Sequence, residues 1–241
     1  RNIGGAGVLL CNLLRHMDRS RIESVVAIPR GSALGERISA LQIPVRELKY
    51  PCDRLSPFSV REIEGLLRRE GFGGVHANAA LAARVAGKHC GLPVVHTRHC
   101  CFPLEGVWRS FALRRLGGVW NRRLSDRVIA TAEAAAEDLV RLGIPRERIA
   151  VILNGSDAVR EVSCEELADF RHGFLIPEDA FTVGLAARLV PCKGHAVLLR
   201  AARLLRERMP DFPFVFLLAG DGPMRSSLIR LAEKEGIADR V

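Results

Sequence analysis

Aromatic residues are scarce in this chain of 241 residues, where Phe, Trp and Tyr together make up 5%. No apolar run reaches the roughly 20 residues that a membrane-spanning helix needs, and no signal peptide is visible. The seven cysteines are odd in number and include no C-x-x-C pair, which favours a reduced, cytosolic thiol set over a disulfide framework. Nucleic acid is the least favoured partner, because no nucleic-acid-binding motif appears.

Acidic residues are also outnumbered. The chain has 36 basic and 27 acidic residues and a formal net charge of +9, which suits anionic partners such as nucleotide phosphates or an anionic membrane face. A hydrophobic fraction of 48% is enough for a proper core, and the length allows one large domain or two modest ones. Short apolar runs alternate with amphipathic stretches, which predicts an α/β fold with parallel sheets.

One stretch, VGLAARLVPCKG at residues 183–194, combines the signals of a strand and of a ligand site. The apolar run at 181–187 predicts a buried strand, and open α/β sheets bind ligands at the carboxyl ends of their strands. Arg188 and Lys193 follow this strand on one short turn. Two fixed cations suit a diphosphate, and by spacing alone solvated charges flanking a loop are an equally good interpretation.

The same stretch resembles the G-x-x-x-R-L-x-x-x-K-G segment of the retaining glycosyltransferases of family 4, which have the GT-B fold. Three further stretches agree with that family in order and spacing: GGAG at 4–7, RIAVILNGSD at 148–157 and LLAGDGPMRSSL at 217–228. The resemblance implies two Rossmann-like domains with parallel sheets. Residues 1–157 would form the acceptor-side domain without its first strand, 158–180 a connecting segment, and 181–241 part of a domain that binds a nucleotide sugar.

The resemblance also implies a reaction and a set of site residues. A family member moves a sugar from a nucleotide diphosphate sugar to an acceptor and retains the anomeric configuration. Arg188 and Lys193 would hold the donor's diphosphate in place of the metal that other transferase folds use, so we expect no cofactor and no metal. His99 follows a strand that matches the family's P-V-V-x-T-x-H pattern, and there it would face the donor sugar as the catalytic residue.

Two glycine-rich turns complete the expected donor-binding residues. Gly4 and Gly5 lie in a turn at residues 2–7 that should open a helix at about residue 8, and Gly220 and Gly222 follow a predicted strand at 214–218. Glycines let backbone N–H groups approach an anion at the start of a helix. An ordinary glycine turn is the alternative interpretation at both places.

Zinc binding is the competing hypothesis for the stretch around His99. His96, His99, Cys100 and Cys101 are all potential zinc ligands. No second ligand pair lies at a typical spacing, so we expect the cysteines to be loop or core residues instead.

Three rival functions stay open on the sequence. The first is a sugar-nucleotide epimerase with the same GT-B fold. The second is a nicotinamide-dependent oxidoreductase, since Gly4, Gly5 and Gly7 mimic a dinucleotide turn, although the full G-x-G-x-x-G spacing is missing. The third is a non-catalytic domain that binds membranes or acts as a scaffold.

The acceptor and the location are predicted from the family alone. The predicted acceptor is a bacterial surface glycan or a lipid-linked molecule. The predicted location is the cytoplasm or the inner face of the cell membrane. The basic helix predicted at residues 106–124, with Trp108 and Trp120, would either lie on an anionic membrane or pack its apolar stripe on the core. The family's E-x7-E segment belongs to the nucleotide-sugar-binding domain and does not occur at residues 181–241, so we expect a fragment, truncated at both ends and inactive in sugar transfer.

Overall fold

The computed structural model describes residues 4–51, 55–78, 80–99 and 111–241, with the backbone alone at 111–116. The chain divides into two compact units, Arg1–Ala158 and Val159–Val241, called unit 1 and unit 2 below. Helices and strands alternate along both units, and the strands pair in parallel. The predicted α/β class with parallel sheets is confirmed. Within the described ranges no helix is both long and apolar enough to cross a membrane.

Unit 1 contains a parallel pair of strands, β1-β2, and a four-stranded parallel sheet with the order β3-β4-β5-β6. Its elements are α1 (Gly4–His16), β1 (Val26–Pro29), α2 (Leu34–Ser39), β2 (Val45–Leu48), α3 (Pro57–Glu70), β3 (Val75–Asn78), α4 (Leu81–His89), β4 (Val94–Arg98), α5 (Phe111–Leu124), β5 (Arg127–Ala130), α6 (Glu133–Arg141) and β6 (Ile149–Val151). Because the strands are parallel, the carboxyl ends of β3, β4 and β5 meet at one sheet edge.

The local sequence explains these elements, and α3 is an example. Pro57 occupies the first helical turn, where its missing N–H costs nothing, and Gly71 ends the helix with φ 68°. Val60, Ile63 and Leu67 recur on one face and are buried. They pack in a cluster with residues of β2 and α4, so that this face of the helix joins the core of unit 1.

Unit 2 is a parallel pair of strands with helices packed against it. Its elements are α7 (Cys164–Gly173), β7 (Phe181–Ala186), α8 (His195–Arg208), β8 (Phe214–Ala219) and α9 (Arg225–Lys234). Leu199 of α8, Phe214 of β8 and Leu228 of α9 form the centre of one buried cluster. The register pairs Phe181 with Phe214 and Ala186 with Ala219, so both strands end at the same level.

Candidate functional site

The loops that follow β7 and β8 are hydrogen-bonded to each other. The backbone N–H of Ala187 donates to the carbonyl of Ala219 at 3.0 Å, and that of Leu189 donates to the carbonyl of Asp221 at 3.0 Å. The sheet ladder therefore continues past both strands. This brings Arg188, in the first loop, beside the glycine-rich turn of the second.

Close backbone packing accounts for both glycines of that turn. A Cβ atom on Gly220 would lie 2.0 Å from the carbonyl oxygen of Ala187, and one on Gly222 would lie 2.6 Å from that of Leu189. Any side chain here would collide with the backbone of the neighbouring loop. The glycines are thus needed by the fold itself, and their predicted contact with a nucleotide stays a prediction.

Arg188 and Lys193 present their charges to solvent. Both side chains are exposed, and neither forms an ion pair or a hydrogen bond within the described part of the chain. Lys193 ends a short 3₁₀ turn, and Gly194, with φ 77°, leads from it into α8. The start of a helix carries a partial positive charge, so two free cations and a helix N-terminus lie together at this edge.

Sequence reasoning missed His195, the first residue of α8. Its side chain is 1% exposed, and neither ring nitrogen has a hydrogen-bond partner among the described residues. Buried polar groups without partners are uncommon in folded proteins. A His directly after the K-G pair gives no signal of burial in the sequence alone.

In unit 1, His99 directly follows β4 at the carboxyl edge of the four-stranded sheet. Its Nε2 lies 3.0 Å from Oδ1 of Asn78, the last residue of the neighbouring strand β3. The carbonyl of the preceding residue, Arg98, accepts hydrogen bonds from the N–H and the hydroxyl of Thr131, each at 3.3 Å. Bonds to β3 and to the end of β5 therefore hold this histidine and its backbone in place.

The arginine side chains on the strand and helix next to His99 are bonded to other side chains of unit 1. Arg98 forms an ion pair with Asp138 of α6 at 3.1 Å, and Arg84 of α4 is buried and donates to Ser125 at 3.0 Å. His96 is 6% exposed and its Nδ1 has no partner in the described ranges. Burial lowers the pKa of His96 to about 3, helped by the charges of Arg84 and Arg98.

The histidines at this edge are neutral at neutral pH. Partial burial lowers the pKa of His99 below its ordinary value. Burial also lowers the pKa of His76, and the neighbouring His99 lowers it further. His76 Nε2 lies 2.7 Å from the hydroxyl of Thr97. A neutral imidazole exchanges hydrogen bonds with uncharged groups, and it supplies no fixed positive charge.

The structure corrects the predicted start of the first helix. The helix α1 begins at Gly4, not near residue 8, so Gly4 and Gly5 lie in its first turn. Gly4 has φ 68°, and a Cβ atom on either glycine would meet nothing within 4 Å. The space beside these two glycines is therefore not filled by other described residues.

The last turn of α1 is anchored to Asp157, the final residue of the family-like stretch at 148–157. Arg15 and His16 both contact the carboxylate of Asp157, the histidine at 3.1 Å. Asp157 therefore acts inside unit 1 by holding a helix end. This contact joins residues more than 140 positions apart, beyond the reach of sequence periodicity.

The zinc hypothesis finds no ligand cluster in the described residues, where no group of three His, Cys, Asp or Glu side chains is placed to hold a metal. His96 lies within β4 and His99 follows three positions later, so that strand alternation directs them to opposite faces. Cys100 and Cys101 lie outside the described residues. Independence of metal stays a prediction.

Comparison with protein families decides between the rival classes. Residues 3–160 match the model of Glycosyltransferase Family 4, and residues 168–241 match that of Glycosyl transferases group 1. The chain belongs to glycosyltransferase family 4. This membership confirms the predicted glycosyltransferase family and argues against the nicotinamide-dependent oxidoreductase.

Individual relatives agree with the family. EpsF of Bacillus subtilis is 29% identical over 256 residues, which cover 100% of this chain and 65% of EpsF. Among solved structures, HepE of Anabaena in complex with UDP-glucose matches with a TM-score of 0.78 and 22% identity, over 99% of this chain and 64% of HepE. The second likeness confirms the GT-B type of fold. The chain spans just under two thirds of the length of both proteins.

The epimerase alternative also has a structural neighbour. A UDP-GlcNAc 2-epimerase from Neisseria meningitidis matches with a TM-score of 0.51 and 18% identity, over 95% of this chain and 65% of the epimerase. The likeness to HepE is therefore the stronger one. At 18% identity, the likeness to the epimerase shows a related fold and does not imply that this chain has epimerase activity.

Proposed function

We propose that the whole protein transfers a sugar from a nucleotide diphosphate sugar to an acceptor, with retention at the anomeric carbon. The observation that supports this most is the pair of exposed cations, Arg188 and Lys193, at the carboxyl edge of β7 in a family 4 chain. A leaving nucleoside diphosphate gains negative charge as the glycosidic bond breaks. Fixed cations that face this charge stabilise the transition state more than the ground state.

The diphosphate is the ligand that fits this edge of unit 2. Arg188 offers a planar fork for two phosphate oxygens, and Lys193 adds a compact charge. Neither cation has a carboxylate partner in the described residues, so neither must leave an existing ion pair to bind an anion. The first turn of α8 contributes two amide N–H groups, those of its first two residues, because the next two already donate to the carbonyl of Gly194.

In this proposal the cations take the role that a metal has in other transferases, and the reaction needs no metal. His99 contacts the donor sugar, where a neutral ring exchanges hydrogen bonds with hydroxyl groups. Gly4 and Gly5 leave space for a phosphate or a sugar at the start of α1. A chelator such as EDTA should accordingly leave transfer unchanged.

For the acceptor we propose a glycan or a lipid-linked glycan of the bacterial surface, used in the cytoplasm at the inner face of the membrane. Trp120, Arg122 and Arg123 are exposed on α5, and an aromatic residue next to cations suits an anionic lipid surface. The predicted membrane contact through Trp108 concerns a residue outside the described ranges.

A transfer assay tests the proposal on the full-length protein. A panel of nucleotide sugars is supplied with membrane extract as acceptor, and release of the nucleoside diphosphate is followed together with incorporation of labelled sugar. Arg188→Ala and Lys193→Ala should each lower kcat/KM at least about tenfold, since a charge-assisted hydrogen bond contributes about 1.5–3 kcal/mol. Arg200→Ala, which removes an exposed charge from the same unit, is the matched control.

Two further measurements test retention of the anomeric configuration and the epimerase alternative. The anomeric coupling in the proton spectrum of the product shows whether configuration is retained. Conversion of the donor into an epimeric nucleotide sugar, without release of the diphosphate, would establish the epimerase instead. Either the absence of transfer from every donor of the panel, or transfer that is unchanged in both cation variants, would contradict the proposal.

A further inference from the structure

Asn78 and His99 form a side-chain pair across two neighbouring strands. Asn78 is the last residue of β3 and lies in register with Thr97 of β4, two positions before His99. Its Oδ1 lies 3.0 Å from His99 Nε2. A carboxamide oxygen only accepts hydrogen bonds, so this contact requires the hydrogen of the neutral imidazole to be on Nε2.

The other ring nitrogen of His99 is left available. Nδ1 makes no hydrogen bond within the described part of the chain, and it is not among the buried polar atoms that lack a partner. The imidazole of His99 is half-buried, and its neighbours His76 and His96 have low affinity for protons because they are buried. With Nε2–H held by Asn78, Nδ1 presents a lone pair to whatever lies at the carboxyl edge of β4.

We propose that Asn78 is a positioning residue, which fixes the rotation and the tautomer of His99 so that Nδ1 accepts a hydrogen bond from a sugar hydroxyl. This inference rests on the proposed function for the identity of the ligand. A lone pair attracts a hydroxyl donor and repels a carboxylate. The site of His99 is therefore matched to the hydroxyl groups of a neutral sugar.

Replacing Asn78 should change the orientation and the tautomer of the His99 ring while the histidine itself stays in place. In Asn78→Ala the ring loses its acceptor, so it can turn over and carry its hydrogen on either nitrogen. A hydroxyl contact that strengthens in the transition state would then be lost in part of the molecules. We expect kcat to fall severalfold while KM for the nucleotide sugar stays within about twofold, because losing an interaction made only in the transition state lowers kcat and kcat/KM equally.

The direct test is a nitrogen-15 spectrum of the histidine side chains of the full-length protein, with His99→Gln used to assign the signals of His99. The wild type should show one neutral form with hydrogen on Nε2, and Asn78→Ala should show averaged signals of both tautomers. Asn78→Asp keeps an acceptor oxygen at nearly the same place, so it should preserve the Nε2–H form. His76→Gln is the matched control, since it changes the adjacent His76–Thr97 pair and leaves Asn78 in place.

Two results would overturn the inference: hydrogen on Nδ1 of His99 in the wild type, or an unchanged His99 spectrum in Asn78→Ala. The spectra need no substrate, so they test the pair even if sugar transfer is never observed. Conversely, efficient transfer together with either of these spectra would reject the role of Asn78 and leave the proposed function standing.

Discussion

At the carboxyl edge of β4 in unit 1 the cationic side chains turn inward, whereas at the carboxyl edge of β7 in unit 2 they face solvent. Arg98 is paired with Asp138, and the neighbouring histidines are neutral because they are desolvated. Arg188 and Lys193 are exposed and have no partner in the described residues. Both places follow a parallel strand, so the strand position alone does not determine the chemistry.

What differs is the set of partners that each fold provides. Unit 1 supplies a carboxylate for its arginine and an amide oxygen for its histidine, which leaves a neutral, hydrogen-bonding surface. Unit 2 offers Arg188 and Lys193 no ion pair among its described residues, and the close packing of Gly220 and Gly222 holds the loop after β8 against the loop that carries both cations. A neutral edge suits sugar hydroxyls and a cationic edge suits phosphates.

The largest expected effect is a loss of stability of unit 1 at acidic pH. The pKa of folded His96 is about 3, below the ordinary value of 6.5, so between these values the unfolded chain binds more protons. The free energy of unfolding should therefore fall by roughly 1.4 kcal/mol for each pH unit below 6.5, until about pH 3. His96→Leu should remove most of this slope, measured by hydrogen exchange of the β4 peptides at pH 7 and 4.5.

The control for this measurement is His89→Gln, which changes an exposed histidine of α4 in the same unit. It should keep the slope of the wild type. His76 and His99 also have lowered pKa values and should leave a smaller residual slope in the His96 variant. If His96→Leu were as sensitive to acid as the wild type, the neutral edge of unit 1 would need another explanation.

The second effect concerns the packing that supports the cations of unit 2. Gly220→Ala would place a Cβ atom 2.0 Å from the carbonyl of Ala187, and such overpacking against backbone should cost about 3 kcal/mol. Gly184→Ala is matched, because it lies on β7 of the same unit and its Cβ atom would meet nothing within 4 Å. Urea unfolding, followed by hydrogen exchange of peptides from β7 and β8, should show a lower free energy of unfolding in Gly220→Ala and no change in Gly184→Ala.

Equal stability of the two glycine variants would show that the loops after β7 and β8 can separate without cost. The glycines would then be free to serve a ligand, as the sequence suggested. A large loss in Gly220→Ala would instead make the glycine-rich turn first of all a structural requirement of the cationic edge.

Local sequence signals were sufficient for most of the fold. The strand β7, Phe181–Ala186, lies where the apolar run at 181–187 predicts a strand, because such runs and their flanking turn residues are local signals. The expectation that this strand is buried is wrong, since all of its residues are exposed or half-buried. The positions of His99, Arg188 and Lys193 at strand ends followed in the same way. The predicted start of α1 is wrong because a glycine-rich turn predicts a helix that begins after it, whereas this helix includes the glycines.

The partners at the candidate site were beyond sequence reasoning because they depend on register and distance. Asn78 meets His99 only through the pairing of β3 with β4, 21 positions away. The atom that excludes a side chain at Gly220 is a carbonyl of another loop. The burial of His195 depends on the packing of α8, since charged and apolar neighbours surround it in the sequence.

The central claim is that unit 2 binds the diphosphate by charge while His99 acts without charge on the sugar. Titration calorimetry of the full-length protein with a nucleoside diphosphate tests it directly, on the wild type, Arg188→Ala, His99→Ala and the control Arg200→Ala. We expect the affinity of Arg188→Ala to fall roughly 10- to 100-fold, from the loss of a charge-assisted pair of about 1.5–3 kcal/mol. His99→Ala and Arg200→Ala should stay within about twofold of the wild type. Unchanged affinity in Arg188→Ala, or an equal loss in His99→Ala, would contradict the division between the two edges.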